Sequence, residues 1–197
     1  MRVFITGGCK NGKTGRAEEL AQAIQRQDSL RLQREVPLYY VATMVSSNSE
    51  DDDRISQHQK NRAGLGFTTV EVTHDIHRLG GQLDRDGVIL LDSLTALLLN
   101  EMLGTGSTVK PEAPNKVLSD LLALADDFQS IVFVSDYIYS DAQLYDELTR
   151  SYRRGLALLD RQMAALSDIV VEACFANYIN HKGADALESL QLASVFD

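Results

Sequence analysis

Near the amino end a short apolar run, Arg2 to Thr6, leads directly into Gly7-Gly8-Cys9-Lys10-Asn11-Gly12-Lys13-Thr14 and then into the helix-forming Arg16-Ala17-Glu18-Glu19-Leu20. The octet satisfies G-x-x-x-x-G-K-[ST], and the strand before it and the helix after it supply the context that this motif needs. Glycines let the backbone curl so that its N–H groups face an anion, and the helix N-terminus adds partial positive charge. Lys13 is placed to reach the β- and γ-phosphates of a nucleoside triphosphate, and the Thr14 hydroxyl to ligate Mg²⁺. Gly7, Gly8, Cys9, Lys10, Asn11, Gly12, Lys13 and Thr14 are therefore the candidate cradle for ATP or GTP. The bland alternative is a glycine-rich strand-to-helix turn that matches by coincidence.

The rest of the chain continues the same alternation. Apolar runs suited to buried parallel strands fall at 2–6, 38–43, 68–72, 88–92, 131–135 and 169–172. Between them, helical periodicity marks 13–27, 51–62, 75–83, 94–103, 115–127 and 142–166. Strands and helices in alternation predict stacked βαβ units, hence an α/β fold with a mostly parallel sheet. Gly104 to Pro114 reads as a surface loop, because the alternation continues on both sides of it. A chain of 197 residues fits one domain, assigned to 1–183. Residues 184–197, with Leu187, Leu190, Leu192 and Val195, read as a short amphipathic appendage that packs on the domain or on a neighbouring subunit.

Composition removes several classes of function. A net charge of −9 argues against a nucleic-acid partner, whose phosphates need basic patches. Any phosphate recognition must therefore be local. Cys9 and Cys174 form no metal pattern and read as reduced thiols, and no segment approaches the roughly 20 apolar residues of a membrane span, so a cytoplasmic protein is expected. The guanine-reading element [NT]-K-x-D of switch GTPases is absent, since Asn115-Lys116-Val117-Leu118 lacks the aspartate.

Two further sites carry possible chemistry. Val88-Ile89-Leu90-Leu91-Asp92 ends an apolar strand on an acid, which makes Asp92 the candidate second ligand to the metal. Its alternative is an N-cap for the helix that starts near Leu94. Arg54, His58 and Arg62 recur at i, i+4 and i+8, so one helix face presents a histidine between two guanidinium groups. Such neighbours disfavour the imidazolium, keep His58 nucleophilic and offer bidentate sites to phosphate oxygens. The competing reading is a solvated face whose cations balance the acidic run Glu50 to Asp53, itself a helix-capping cluster. His74 and His77 read as surface residues, and His181 carries no signal.

These residues resemble the bifunctional adenosylcobinamide kinase / adenosylcobinamide-phosphate guanylyltransferase family, over most of the chain to about Val171. The opening Val3 to Gly8 with Gly12-Lys13-Thr14 is similar to that family's start, and Tyr40-Val41-Ala42-Thr43 to its Y-I-A-T. Arg54-Ile55-Ser56-Gln57-His58 with Arg62 matches R-I-x-x-H-x-x-x-R, Phe67 to Glu71 resembles the next strand, and Leu90 to Thr95 resembles L-L-[DE]-x-[LI]-T. The resemblance implies a RecA-like P-loop domain, a homotrimer, a corrinoid substrate, and Arg54, Arg62 and Glu71 among the nucleotide-binding residues. It implies two reactions: phosphorylation of the adenosylcobinamide hydroxyl by ATP or GTP, and transfer of GMP from GTP through a guanylylated His58. The chain departs from the family pattern where Ser135 to Asp141 replaces N-E-[VT]-G-x-G-[IV]-[VI]-P and where only Tyr152-Arg153 answers to F-R-D-x-x-G-x-x-N-Q. Ala63 also stands where a proline is usual. These segments shape the family's substrate pocket. A P-loop kinase for another small metabolite and a nucleotide-binding regulatory protein are the alternative readings.

Overall fold

A computed structural model describes residues 1–45, 62–104, 109–139, 141–175 and 177–192. The expected helix at 51–62, with Arg54 and His58 and the acidic run before it, lies outside the described residues except for Arg62.

Seven strands form one sheet in the order β3-β2-β4-β5-β1-β6-β7. They are β1 (Arg2–Gly7), β2 (Leu38–Ala42), β3 (Thr68–Glu71), β4 (Val88–Asp92), β5 (Ser130–Val134), β6 (Ile169–Cys174) and β7 (Asn177–Lys182). All neighbours are parallel except β7, which runs antiparallel to β6. Helices α1 (Lys13–Leu32), α2 (Leu94–Leu103), α3 (Ala113–Asp127), α4 (Glu147–Leu166) and α5 (Ala184–Ser189) flank the sheet, with a short 3₁₀ helix at Ile76–Gly81. None is long and apolar enough to cross a membrane. This is the α/β architecture with a mostly parallel sheet that the alternation of elements implies, and it agrees with the RecA-like domain that the resemblance implies.

The two faces of each inner strand are buried against different helices. Val3, Ile5, Leu38, Tyr40, Val88, Leu90, Val132 and Val134 pack on Ala17, Leu20, Ala21 and Ile24 of α1. Phe4, Val41, Ile89, Leu91, Ile131 and Phe133 pack on α2, α3 and α4 through Leu97, Leu121 and Leu156. Val88 to Leu91 are wholly inaccessible, which is why β4 reads as an uninterrupted apolar run. Each such side chain contributes about 1.5–3 kcal/mol. Leu190, just after α5, is buried in the α1-side cluster, with Leu187 and Leu192 packed against it. The first described part of the C-terminal appendage thus lies on the domain.

Differences from the sequence reading have local causes. α4 begins at Glu147 and not near Ala142, because Asp146 accepts from Thr149 N at 2.8 Å and caps the first turn. α3 begins two residues early, at Ala113, with Pro114 in its first turn, where a missing N–H costs nothing. The stretch expected as a helix at 75–83 is only the 3₁₀ turn. β7 was not foreseen: Asn177–Lys182 is exposed along almost its whole length, and only its ladder with β6 makes it a strand. Its last residue, Lys182, crosses to the end of α4, donating to Ala165 O at 3.1 Å and Ser167 O at 2.5 Å. A lysine there satisfies terminal carbonyls and complements the helix dipole.

Candidate functional site

The parallel strands direct all their carboxyl ends to one edge, where α/β folds bind ligands. The loop Gly7–Gly12 after β1, Asp92 at the end of β4 and Asp136 just beyond β5 meet there. Gly7 is pressed on β6, so that a Cβ would run into the Ala173 carbonyl oxygen. Gly12 takes φ 81° immediately before α1, a left-handed conformation that only glycine adopts without strain. Cys9 to Gly15 line a cavity of about 600 Å³ whose far wall comprises Tyr40, Arg62, Asp92, Asp136 and Tyr152.

Lys13 is 6% exposed and has two partners among the described residues, Gly8 O at 2.7 Å and Asp136 Oδ1 at 2.8 Å. Asp136 is fixed in turn by its backbone N–H, which donates to Thr95 Oγ1 at 2.9 Å. The Thr14 hydroxyl donates to Asp92 Oδ2 at 3.1 Å, and the Tyr40 hydroxyl donates to the same oxygen at 2.6 Å. Burial, and then the Asp92 carboxylate, push the Tyr40 phenol far above its ordinary pKa, so it stays a donor and orients the acid. Asp92 is not the helix cap: Ser93 takes that place, accepting from Ala96 N at 3.3 Å. Ser93 N donates to Thr43 Oγ1 and that hydroxyl donates back to Ser93 O, both at 2.8 Å, which ties the end of β4 to the end of β2.

Arg62 is 6% exposed and lies flat on Tyr40, its guanidinium carbon 3.5 Å from the ring centroid. Its Nε and Nη1 are buried with no hydrogen-bond partner among the described residues. Burial raises the nearby Glu18 carboxyl, with Arg62 acting in opposition. Arg62 lines the cavity, where a guanidinium can meet an anion. Hard oxygen donors at Thr14 and Asp92 suit Mg²⁺ by their chemistry.

The structure therefore brings together Lys13, Thr14, Asp92 and Arg62. Glu71 stands apart, exposed at the end of edge strand β3. It keeps register with Asp92 through Ala42 of the intervening strand, about 10 Å away by strand spacing. His74 is not a free surface residue: its ring is half-buried and meets Thr73 Oγ1 at 2.9 Å and Asn100 O at 3.0 Å. Three site features escaped sequence reasoning: Asp136 as the partner of Lys13, Tyr40 as the donor to Asp92, and Tyr152 in the cavity wall. Asp136 had a weak signal, an acid two residues past an apolar run that pairs with the P-loop strand.

No curated protein matches the chain. The family model described as cobinamide kinase / cobinamide phosphate guanyltransferase matches residues 3–176, from β1 through β6. With the cradle, Asp92 and Arg62 all inside that match, the chain belongs to the cobinamide kinase / cobinamide phosphate guanyltransferase family of cobalamin biosynthesis.

Proposed function

We propose that this chain phosphorylates the hydroxyl of adenosylcobinamide with ATP or GTP, and then transfers GMP from GTP to the product by way of a guanylylated His58. The observation that carries the reading is the convergence of Lys13, the Thr14–Asp92 pair and Arg62 on one cavity. In the kinase step the acceptor hydroxyl oxygen bonds to the γ-phosphorus as the bridging oxygen leaves with the nucleoside diphosphate, and the hydroxyl proton passes to solvent. Lys13 exchanges Asp136 for the triphosphate and follows its charge, and the loop amides hold the phosphates in line. Mg²⁺ held by Thr14 and Asp92 would supply further neutralisation of phosphate charge.

In the second reaction the His58 imidazole nitrogen bonds to the α-phosphorus of GTP and pyrophosphate leaves. The phosphate of the acceptor then takes the GMP and frees the histidine. Arg62 supports this step, because the segment that carries His58 ends at Arg62, in the wall of the phosphate cavity. Incubation with α-labelled GTP is expected to leave an acid-labile, base-stable label on wild type and none on His58→Ala. Persistent labelling of the variant would remove His58 from the reaction. A corrinoid-free control with other hydroxyl acceptors distinguishes this enzyme from a kinase of another metabolite.

A further inference from the structure

A triphosphate in the cradle has a direction. Lys13 lies beside Asp136, and Thr14 beside Asp92, so the γ end faces the β4–β5 side of the P-loop strand. The sheet order puts β4 and β5 on one side of β1 and β6 and β7 on the other. The nucleoside end consequently leaves past Gly15, the exposed first-turn residue with no neighbour within 4 Å of a Cβ position, toward β6 and β7.

That side exposes aromatic rings. Tyr178 of β7 is in register with Ala173, which is itself in register with Gly7 of the loop. Its hydroxyl donates to Gly12 O at 3.4 Å, the Arg16 guanidinium lies 5.0 Å from its ring centroid, and the residue stays 37% exposed. Arg16 Nε is buried without a partner among the described residues. Phe175, in the hairpin between β6 and β7, is 85% exposed and has φ 49°. A bulky side chain in the left-handed region and in water is unfavourable on both counts, and such residues persist where they serve a site. Tyr178 falls outside the matched residues 3–176.

We infer that the β6–β7 hairpin is the nucleobase platform of this site: the purine of the bound nucleotide stacks on Tyr178, with Phe175 beside it and Arg16 holding the ring. This rests on the triphosphate reading of the cradle and adds to it the surface that distinguishes a nucleotide from bare phosphate. Every nucleobase presents a π face, so the platform gives affinity for ATP and GTP alike.

The test titrates full-length wild type, Tyr178→Ala, Tyr178→Phe and Phe175→Ala with non-hydrolysable ATP and GTP analogues and with inorganic tripolyphosphate, all with Mg²⁺. Both alanine variants should lose about ten-fold in nucleotide affinity and none for tripolyphosphate, while Tyr178→Phe keeps both. Since the chain has no tryptophan, Phe175→Trp supplies a lone reporter whose fluorescence should respond to nucleotide and not to tripolyphosphate. Equal losses for nucleotide and tripolyphosphate would overturn the platform and assign Tyr178 to loop geometry. Unchanged nucleotide affinity with altered sedimentation would overturn it in favour of contact with a second copy. A wild type that binds tripolyphosphate as tightly as nucleotide removes the platform and leaves the cradle standing; one that binds neither removes both.

Discussion

Lys13 and Lys116 are both drawn onto carboxylates, yet they are set up for different ends. Lys116 donates to Asp75 at 2.9 Å, Glu101 at 2.5 Å and Asp120 at 2.9 Å, one acceptor for each of its three protons. Glu101 and Asp120 are almost inaccessible, and Asp120 also meets His77 Nδ1 at 3.0 Å. Burial alone would lower the pKa of Lys116, but these hydrogen bonds win and hold it well above the ordinary lysine value. The ammonium sits among Asp75, His77 and Asp120, a group spaced as for a metal ion, and ties the 3₁₀ turn to α2 and α3. Lys13, in contrast, meets one carboxylate and one carbonyl at the rim of a cavity. A saturated lysine locks structure, while one with a replaceable partner can be handed to a substrate.

Removing each lysine should expose that difference. Lys13→Ala is expected to cut phosphoryl transfer by about 10³-fold, with urea midpoints close to wild type. Lys116→Met should do the reverse: a loss of about 3 kcal/mol in urea titrations, because it strands Glu101 and Asp120 without a cation, and a kcat within about two-fold for the folded protein. Comparable effects of both variants on kcat would erase the distinction.

Asp160 shows what a buried carboxyl does with no lysine at hand. It is 3% exposed, accepts from Tyr139 at 2.9 Å, and burial pushes its pKa up to about 6 against that hydrogen bond. The unfolded carboxyl titrates at about 3.9, so between the two values only the folded chain still holds the proton. This contribution is complete below about pH 4 and is lost as the pH rises through 6. Asp160→Asn is expected to flatten that slope, matching wild type near pH 4 and exceeding it by on the order of 2 kcal/mol at pH 7. Thermal melts across this range would reveal it. The smallest effect belongs to Asp136→Asn, which releases Lys13 from its resting partner. Affinity for inorganic tripolyphosphate should rise about three-fold by calorimetry, as a part-exposed ion pair is worth little.

The strands of this fold were legible because they are buried on both faces, and a doubly buried strand cannot avoid an apolar run such as Val88 to Leu91. The cradle was legible because its chemistry is local, with eight consecutive residues supplying the curl, the cation and the hydroxyl. β7 was not, since Asn177–Lys182 has no apolar face and takes its identity from a neighbour. The pairing of Asp136 with Lys13 and of Tyr40 with Asp92 spans 123 and 52 positions respectively, and depends on which strands the sheet makes adjacent. Arg62 gave itself away by spacing, but not by its stacking on Tyr40.

The reach of Lys182 onto the end of α4 has a mechanical corollary. α4 is a rod of about 30 Å. Its first turns carry Tyr152, whose hydroxyl is anchored to Thr95 O at 2.9 Å in the cavity wall, and its last turn is gripped by Lys182, at the far end of β7 from Tyr178. α4 is therefore pinned at both ends, to the cavity wall through Tyr152 and to the opposite edge of the sheet through Lys182. A push on the Tyr152 end of the rod is resisted at the Lys182 end, so the cavity wall cannot be moved without tilting the whole helix.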